Sequence, residues 1–379
     1  MERAPVEGGI GGRTGGVRFA VADASDDADL RTLLRANPMG GWVRIAMERE
    51  PRYFAELVRG EEHQAVIARD RTSGECVGMC ARTVRPAYIN GEVRPLGYIG
   101  ELRIAPKYRH RFHVIRDGFA ALRAELHEPR RTPFYLTAII ADNRAARRLL
   151  ESDIPGKPAY RAFCGYSTLA IRVSSGRARR APTYGRDADI PEIAACLARN
   201  HSRYQLAPVW REDDISGRSE SDGPGVQDFI LRRSGARVTG CLALWDQSRV
   251  RQAVVRGYHP QIARLRPLLN MVGVVTGFPR LPPAGHALRQ AFLSLAAVDG
   301  DDPLALVELV RDGLAAAARR GFDLALIGLA DGNPMLPALR RAFRARFYRS
   351  QLYLVHWEDG HSEVATLDRR VPHVEVCFL

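Results

Sequence analysis

The sequence predicts an α/β protein, an α+β mixed-sheet domain that occurs twice in tandem. Three observations predict it. "SSGRARRAP" at 174–182 is small, polar and basic and ends in proline, so it reads as a linker between units 17–173 and 183–379. The same order of strands and helices can be read on both sides of it. Two segments also recur almost literally: "IRDGFAAL" at 115–122 with "VRDGLAAA" at 310–317, and "IIADNRAARRLL" at 139–150 with "IGLADGNPMLPALRRAF" at 327–343. Matches in the same order point to an internal duplication, a pseudo-dimer in one polypeptide.

In the first unit "VRFAVAD" is a strand. "SDDADLRTLLRAN" starts at a Ser cap and places Leu30, Leu33 and Leu34 at helical spacing. "EPRYFAELVRG" reads as a second helix with Pro51 in its first turn. "HQAVIARD" and "GECVGMCARTVRPAYI" form a hairpin around "RTSGE", and "YIGELRIAP" is a fourth strand. The helix after "APKYRH" carries an apolar stripe of Phe112, Ile115, Phe119, Leu122 and Leu126. "PFYLTAII" is a buried strand. "DNRAARRLLES" is a short helix capped by Asp142 or Asn143, and "YRAFCGYSTLAIRV" is the last strand.

The second unit repeats this order. "DADIPEIAACLARN" and "GVQDFILRRSG" are its helices, and "ARVTGCLALWDQ" with "VRQAVVRGY" its hairpin. "HPQIARLRPLLNMVGVVTGFPRLPPAG" reads as an insertion. "LRQAFLSLAAVD", the helix "DPLALVELVRDGLAAAARRG", "FDLALIGLAD", "NPMLPALRRAF" and "FYRSQLYLVHW" complete the set.

Composition narrows the function classes. No window approaches the ~18 uninterrupted apolar residues of a membrane span, so no membrane partner is expected. The start, 1–16, is glycine-rich without an apolar stretch and reads as a disordered leader, with the chain in the cytoplasm. The six cysteines are scattered, and Cys76 and Cys80 have the spacing of one strand face. They read as small buried hydrophobes rather than disulfides or metal ligands, and no metal is expected. The net charge of +13 fits nucleic acid, an anionic cofactor or an arginine-rich proteome alike.

"GELRIAPKYR", the helix after it, and "FYLTAIIADNRAARRLLE" together resemble the core of the GNAT superfamily of acyl-CoA-dependent N-acyltransferases. The element order agrees over 17–173, and the second unit resembles a degenerate copy. The resemblance implies two tandem GNAT-like domains with acetyl-CoA or another acyl-CoA as co-substrate. It places the pantetheine along Leu102, Arg103 and Ile104, where the family's fourth strand bulges and splays from the fifth. It places the pyrophosphate on Arg109, His110, Arg111, Phe112, His113 and Val114. The family's glycine slots there hold Phe112 and Val114. Its cofactor-contacting Asn maps onto Asn143. Its thiolate-protonating Tyr falls on Leu150, so Tyr160 and Tyr166, which flank that slot in sequence, become the candidate acids. The family's strand carboxylate base maps onto Glu101.

Acyl transfer from a thioester to an amine needs a base for the ammonium and donors for the carbonyl oxygen. Glu101 lies in an otherwise apolar strand, where burial would raise its pKa. The apolar tail "EVCFL" could instead bring a chain-end carboxylate inward. In the second unit Asp299, Asp301 and Asp302 occupy the pyrophosphate position, would repel phosphate, and read as helix caps of a non-catalytic domain. The expected function is N-acyl transfer to a small-molecule or peptide amine, by a monomer or homodimer. The alternatives are a catalytically inactive binding or scaffold protein and an aminoacyl-tRNA-dependent transferase. The last would use a basic surface near Arg172, Arg177, Arg179 and Arg180, although a nucleic-acid partner is not the expectation.

Overall fold

The computed structural model describes residues 16–56, 58, 61–124, 132–173, 182–216, 223–276 and 280–379. The expected leader and linker fall almost wholly outside them. The first half runs β1 (Val17–Val21), α1 (Asp27–Ala36), β2 (Val43–Glu48), β3 (Glu62–Asp70), β4 (Cys76–Ile89), β5 (Glu92–Ile104), α2 (Phe112–Ala124), β6 (Tyr135–Ile140), α3 (Arg144–Glu151) and β7 (Ala159–Arg172). The second runs α4 (Ile190–His201), β8 (Ala207–Pro208), α5 (Glu212–Ile215), β9 (Phe229–Ser234), β10 (Arg237–Trp245), β11 (Gln252–Tyr258), α6 (Pro260–Thr276), β12 (Gln290–Val298), α7 (Pro303–Arg319), β13 (Leu324–Ala330), α8 (Leu336–Ala342), β14 (Ala345–His356) and α9 (His361–Ala365).

The two halves share one sheet of order β1-β3-β4-β5-β6-β14-β7-β13-β12-β10-β9, with β8 on β4. The last strands have changed places. β14 lies antiparallel against β6, β7 lies antiparallel against β13, and the two pair with each other from Ala345↔Ile171 to His356↔Ala159. A pseudo-twofold axis therefore runs between β7 and β14, and neither half can complete its sheet alone. A second ribbon, β2 with β11, ties the halves again.

The repeated motif has a packing reason. Gly118 and Gly313 occupy the same place in α2 and α7. A Cβ on Gly118 would stand 3.3 Å from Phe19, and one on Gly313 would stand 2.6 Å from Leu293, so glycine lets each helix lie close on its sheet. On α2 the expected stripe is buried at Ile115, Phe119 and Leu122. Each such burial contributes roughly 1.5–3 kcal/mol. Leu126 lies outside the described residues.

Several expectations give way to tertiary contacts. The helix over "EPRYFAELVRG" does not form at the described positions 51–56 and 58. Its apolar residues are drawn apart instead: Tyr53 and Phe54 pack in the first half, Ala55 and Val58 against the core of the second. "GVQDFILRRSG" gives strand β9, because Phe229, Ile230 and Leu231 are all buried in consecutive order, which a one-faced helix cannot do. β10 and β11 form no hairpin, since β10 pairs with β9 and β12 while β11 pairs with β2. Ser25 is not the cap: Asp23 accepts from the Ser25 N–H at 2.8 Å and caps the tight turn Ala24–Asp26, which leads into α1. Cys76 and Cys80 face different clusters, because a register shift near Val77 reverses the strand's faces between them. All six cysteines are free. Among the described residues no helix is long and apolar enough to cross a membrane.

Candidate active site

The site begins at a defect in β5. Pairing of β5 with β4 slips between Met79↔Arg103 and Ala81↔Gly100, so Glu101 and Leu102 together oppose Cys80. Glu101 takes φ +53°, a conformation that non-glycine residues adopt rarely and usually at functional bulges. Parallel pairing with β6 ends at Tyr98↔Leu136. Beyond it β5 diverges, and the edge of residues 99–104 that faces β6 has no strand partner among the described residues. The expected splay beside Leu102, Arg103 and Ile104 is thus present.

The second half repeats the defect. β12 bulges at Leu295 (φ +53°), and its pairing with β13 ends at Phe292↔Leu326. Here the chain fills the divergence itself. The turn Val376–Phe378 packs against both β12 and β13, and the Leu295 N–H donates to Glu375 at 2.9 Å. The aspartates of this half are also spent. Asp299 pairs with Arg199 at 2.9 Å and with Arg237 at 3.2 Å. Asp301 pairs with Arg203 at 2.6 Å, and Asp302 caps α7 through the Leu304 N–H at 2.9 Å.

Around Glu101 the structure gathers residues that the sequence did not mark. Tyr53 donates its hydroxyl to Glu101 Oε2 at 2.7 Å, and Arg49 stands 3.5 Å from Oε1. His63 Nε2 lies 3.3 Å from the Tyr53 hydroxyl and Nδ1 lies 3.2 Å from Thr83 Oγ1. The Tyr53 proton is used on Glu101, so the consistent arrangement has His63 Nε2–H donating to Tyr53 and Thr83 donating to Nδ1. The result is a directed chain, Thr83 to His63 to Tyr53 to Glu101. The ribbon of β2 and β11 brings Arg251 from the other half to the same place. Arg251 donates to the Cys377 and Leu379 oxygens, each at 3.1 Å, and its charge acts on Glu101. The "EVCFL" tail is therefore docked inward.

These charges reverse the expectation for Glu101. Burial pushes its pKa up, but Arg49, His63, Arg251 and the Tyr53 hydroxyl together hold it down to about 2. It is a carboxylate at neutral pH. His63 is lowered to about 4, chiefly by burial, and is neutral there. One signal for these residues was in the sequence. The "RTSGE" hairpin sets His63 opposite Thr83, two polar residues facing each other across the strand pair. Tyr53 was hidden by the expected helix and Arg251 by the expected hairpin, while Arg49 lies just before that helix in a segment with no expected element.

The phosphate loop is a turn at Pro106–Tyr108 followed by α2, whose first residue is Phe112. Its opening N–H groups have no partner within the helix, and its dipole end is positive. Arg109 donates to Asn37 at 3.0 Å and to the Ile104 carbonyl at 3.2 Å, and Arg111 lies over the Tyr108 ring at 4.7 Å. Among the described residues no carboxylate pairs with Arg109, His110 or Arg111. His113 Nε2 is buried without a hydrogen-bond partner. Val114 is buried and lines, with Leu102, Ile104, Gly118 and Phe119, a cavity of about 30 Å³. Asn143 caps α3, accepting from the Ala146 N–H at 3.2 Å.

The two candidate tyrosines part company. Tyr160 packs near Phe119 and Tyr353, in the apolar cluster that holds Leu102, Ile104 and Leu150. Tyr166 is fully buried, and its hydroxyl donates to the Val374 carbonyl at 2.6 Å, away from Glu101's partners. Of the arginines of a tRNA-binding surface, Arg172 donates to the Gly273 carbonyl, and Arg177, Arg179 and Arg180 lie outside the described residues.

One cluster among the described residues could approach a metal. His201, His373 and Glu375 hold ligand atoms within 4.8 Å of one another. Zinc bonds of about 2.0 Å bring donors to roughly 3.3 Å, so the cluster would have to contract. As it stands it is a hydrogen-bond network, with His373 3.0 Å from Glu375.

No known family profile matches the sequence, and no curated protein matches it. Solved structures do. Saccharomyces cerevisiae N-myristoyltransferase with bound myristoyl-CoA aligns over 90% of this chain and 79% of its own, at 12% identity and TM-score 0.58. A GCN5-related N-acetyltransferase from Sphaerobacter thermophilus aligns over 89% and 95%, at 12% identity and TM-score 0.51. A GCN5-related glucosamine N-acetyltransferase region of a fungal multi-domain β-N-acetylglucosaminidase aligns over 89% and 38%, at 14% identity and TM-score 0.56. The fold is that of the GCN5-related N-acyltransferases, in two tandem domains.

Proposed function

We propose that the chain is an N-acyltransferase that moves an acetyl or longer acyl group from acyl-CoA to an amine of a small molecule or peptide. One observation carries the proposal. Both halves keep the same bulge, but only the first places a carboxylate on it, with Tyr53, His63 and Arg49 arranged around Glu101. In the second half the bulge residue is Leu295 and the tail fills the space beside it. The likeness to structures that include a myristoyl-CoA complex supports the choice of donor.

The free edge of residues 99–104 offers backbone groups to the amides of a pantetheine, as an added strand would use them. The α2 N-terminus with Arg109 and Arg111 offers charge to the pyrophosphate, and His110 and His113 offer ring nitrogens beside it. The Glu101 carboxylate attracts the acceptor ammonium. The ammonium first gives up one proton to solvent; attack by the free amine on the thioester carbonyl then forms the C–N bond and makes the bound N–H acidic, so Glu101, a weak base, suffices to take this second proton. The C–S bond then breaks, and Tyr160, rather than Tyr166, protonates the leaving thiolate.

Thiol release from acetyl-CoA and longer acyl-CoAs over a panel of amines tests this reading. Amine-dependent release that is lost in Glu101→Gln supports it. A second reading rests on the loop, which has no glycine between Pro106 and Asp117. A protein that binds acyl-CoA without transfer would show binding and no amine-dependent release.

A further inference from the structure

The sequence showed only an insertion after β11, but the structure makes most of it a helix that stands largely in solvent. On α6, Leu265 is 49% exposed, Leu268 50%, Met271 66% and Val272 44%. Four of the twelve exposed large apolar side chains among the described residues thus fall within eight positions. At 3.6 residues per turn they share one arc of about 120°. Trp42, 58% exposed, lies edge-on against His259 at the helix's N-terminal end. The helix is anchored on its other side. Asn270 exchanges hydrogen bonds with Leu281 at 2.8 and 3.0 Å, and Arg172 holds the Gly273 carbonyl.

The segment that carries this face has charge of one sign. From Gln247 through Val298 the sequence has no Asp or Glu and has seven arginines, of which Arg251 is turned to the tail and Arg256 pairs with Glu48. Arg44, Arg264 and Arg280 are exposed, and none of them, nor Arg266, has an ion pair among the described residues. An apolar stripe set among unpaired arginines suits a surface that is anionic outside and hydrocarbon within. A nucleic acid would use the arginines and leave the stripe wet.

We propose that α6 docks the protein on anionic phospholipid bilayers, with Leu265, Leu268, Met271 and Val272 entering the interface and the arginines meeting the headgroup phosphates. The helix lies in the membrane surface and does not span it. The proposal is independent of acyl transfer.

Sedimentation with phosphatidylcholine vesicles, with and without phosphatidylglycerol, tests it on the full chain. Binding is expected on the anionic vesicles, weakening as salt rises. The double variant Leu268→Glu, Met271→Glu should lose about tenfold or more in vesicle affinity. It should keep its melting temperature, because both positions are exposed. Arg264→Glu with Arg280→Glu should weaken binding to anionic vesicles. Absent binding, or binding that survives the double variant, overturns the proposal. So does a dimer seen by light scattering that the double variant dissociates, since the face would then belong to a second copy of the chain.

Discussion

Tyr53 and Glu101, 48 residues apart, meet through a 2.7 Å hydrogen bond in which the phenol donates to the carboxylate. The bond exists because the segment after β2 is not helical and the bulge in β5 turns Glu101 toward it. Tyr53→Phe removes the donor and leaves Glu101 facing an apolar ring. Its pKa should rise, and the acid limb of the pH–rate profile should move upward with it. A hydrogen bond to a charged group contributes about 1.5–3 kcal/mol, so denaturant unfolding should show a loss of that order. An unchanged acid limb would remove Tyr53 from the site.

Glu101→Gln keeps the shape and deletes the charge. Amine-dependent thiol release should fall about 100-fold or more, the usual contribution of a positioned base. Acyl-CoA affinity by calorimetry should be unchanged, because the cofactor is held by β5 backbone and the loop. Release at the wild-type rate would rule out Glu101 as the base.

Arg251 crosses from the second half to hold two tail carbonyls and to press on Glu101. Arg251→Met should raise the Glu101 pKa and so shift the pH–rate profile in the same direction as Tyr53→Phe. It should also free the tail, which limited proteolysis would detect as new cleavage after residue 370. A profile and a digest like those of the parent would contradict this coupling.

Stability should fall on mild acidification. His201 is buried and held to about 4, mainly by burial and then by His373, while an unfolded histidine titrates near ~6.5. Above ~6.5 neither state is protonated and the fold keeps its full stability. Between about 6.5 and 4 only the unfolded chain takes the proton, so stability declines as pH falls, by up to about 1.4 kcal/mol per unit for each such histidine. His63 behaves alike. Glu101 adds a loss only lower, as pH drops from the ordinary carboxylate range through about 2. Urea midpoints should therefore be lower at pH 5 than at pH 7.5, and His201→Gln should reduce the difference. Equal midpoints would contradict the assignment.

Much of the strand and helix order was legible because the core segments are strongly periodic and the duplication states each element twice. Strand β5 was read from Tyr98, yet it starts at Glu92. The Asn90-Gly91 pair, with φ of +54° and +86°, makes the tight hairpin that the sequence signal allows. The exchange of β7 and β14 was not legible, since each strand is equally apolar beside either neighbour. Glu101 was found from its strand, but its pKa direction was not. That direction depends on Arg49, from a segment with no expected element, and on Arg251, from a segment read as hairpin, both delivered by long-range contacts. The glycine-free loop remains as the sequence showed it, with Arg109, His110 and Arg111 paired to no carboxylate among the described residues.

The central claim is that the first half alone holds acyl-CoA, at the β5 splay and the α2 N-terminus. Isothermal titration of the full chain with acetyl-CoA and with a long-chain acyl-CoA tests it most directly. The expected result is one site per chain, retained in Glu101→Gln and weakened at least about tenfold in Arg109→Glu, where a cation at the phosphate position becomes an anion. Two sites per chain, no binding of either ligand, or binding indifferent to Arg109→Glu would contradict it.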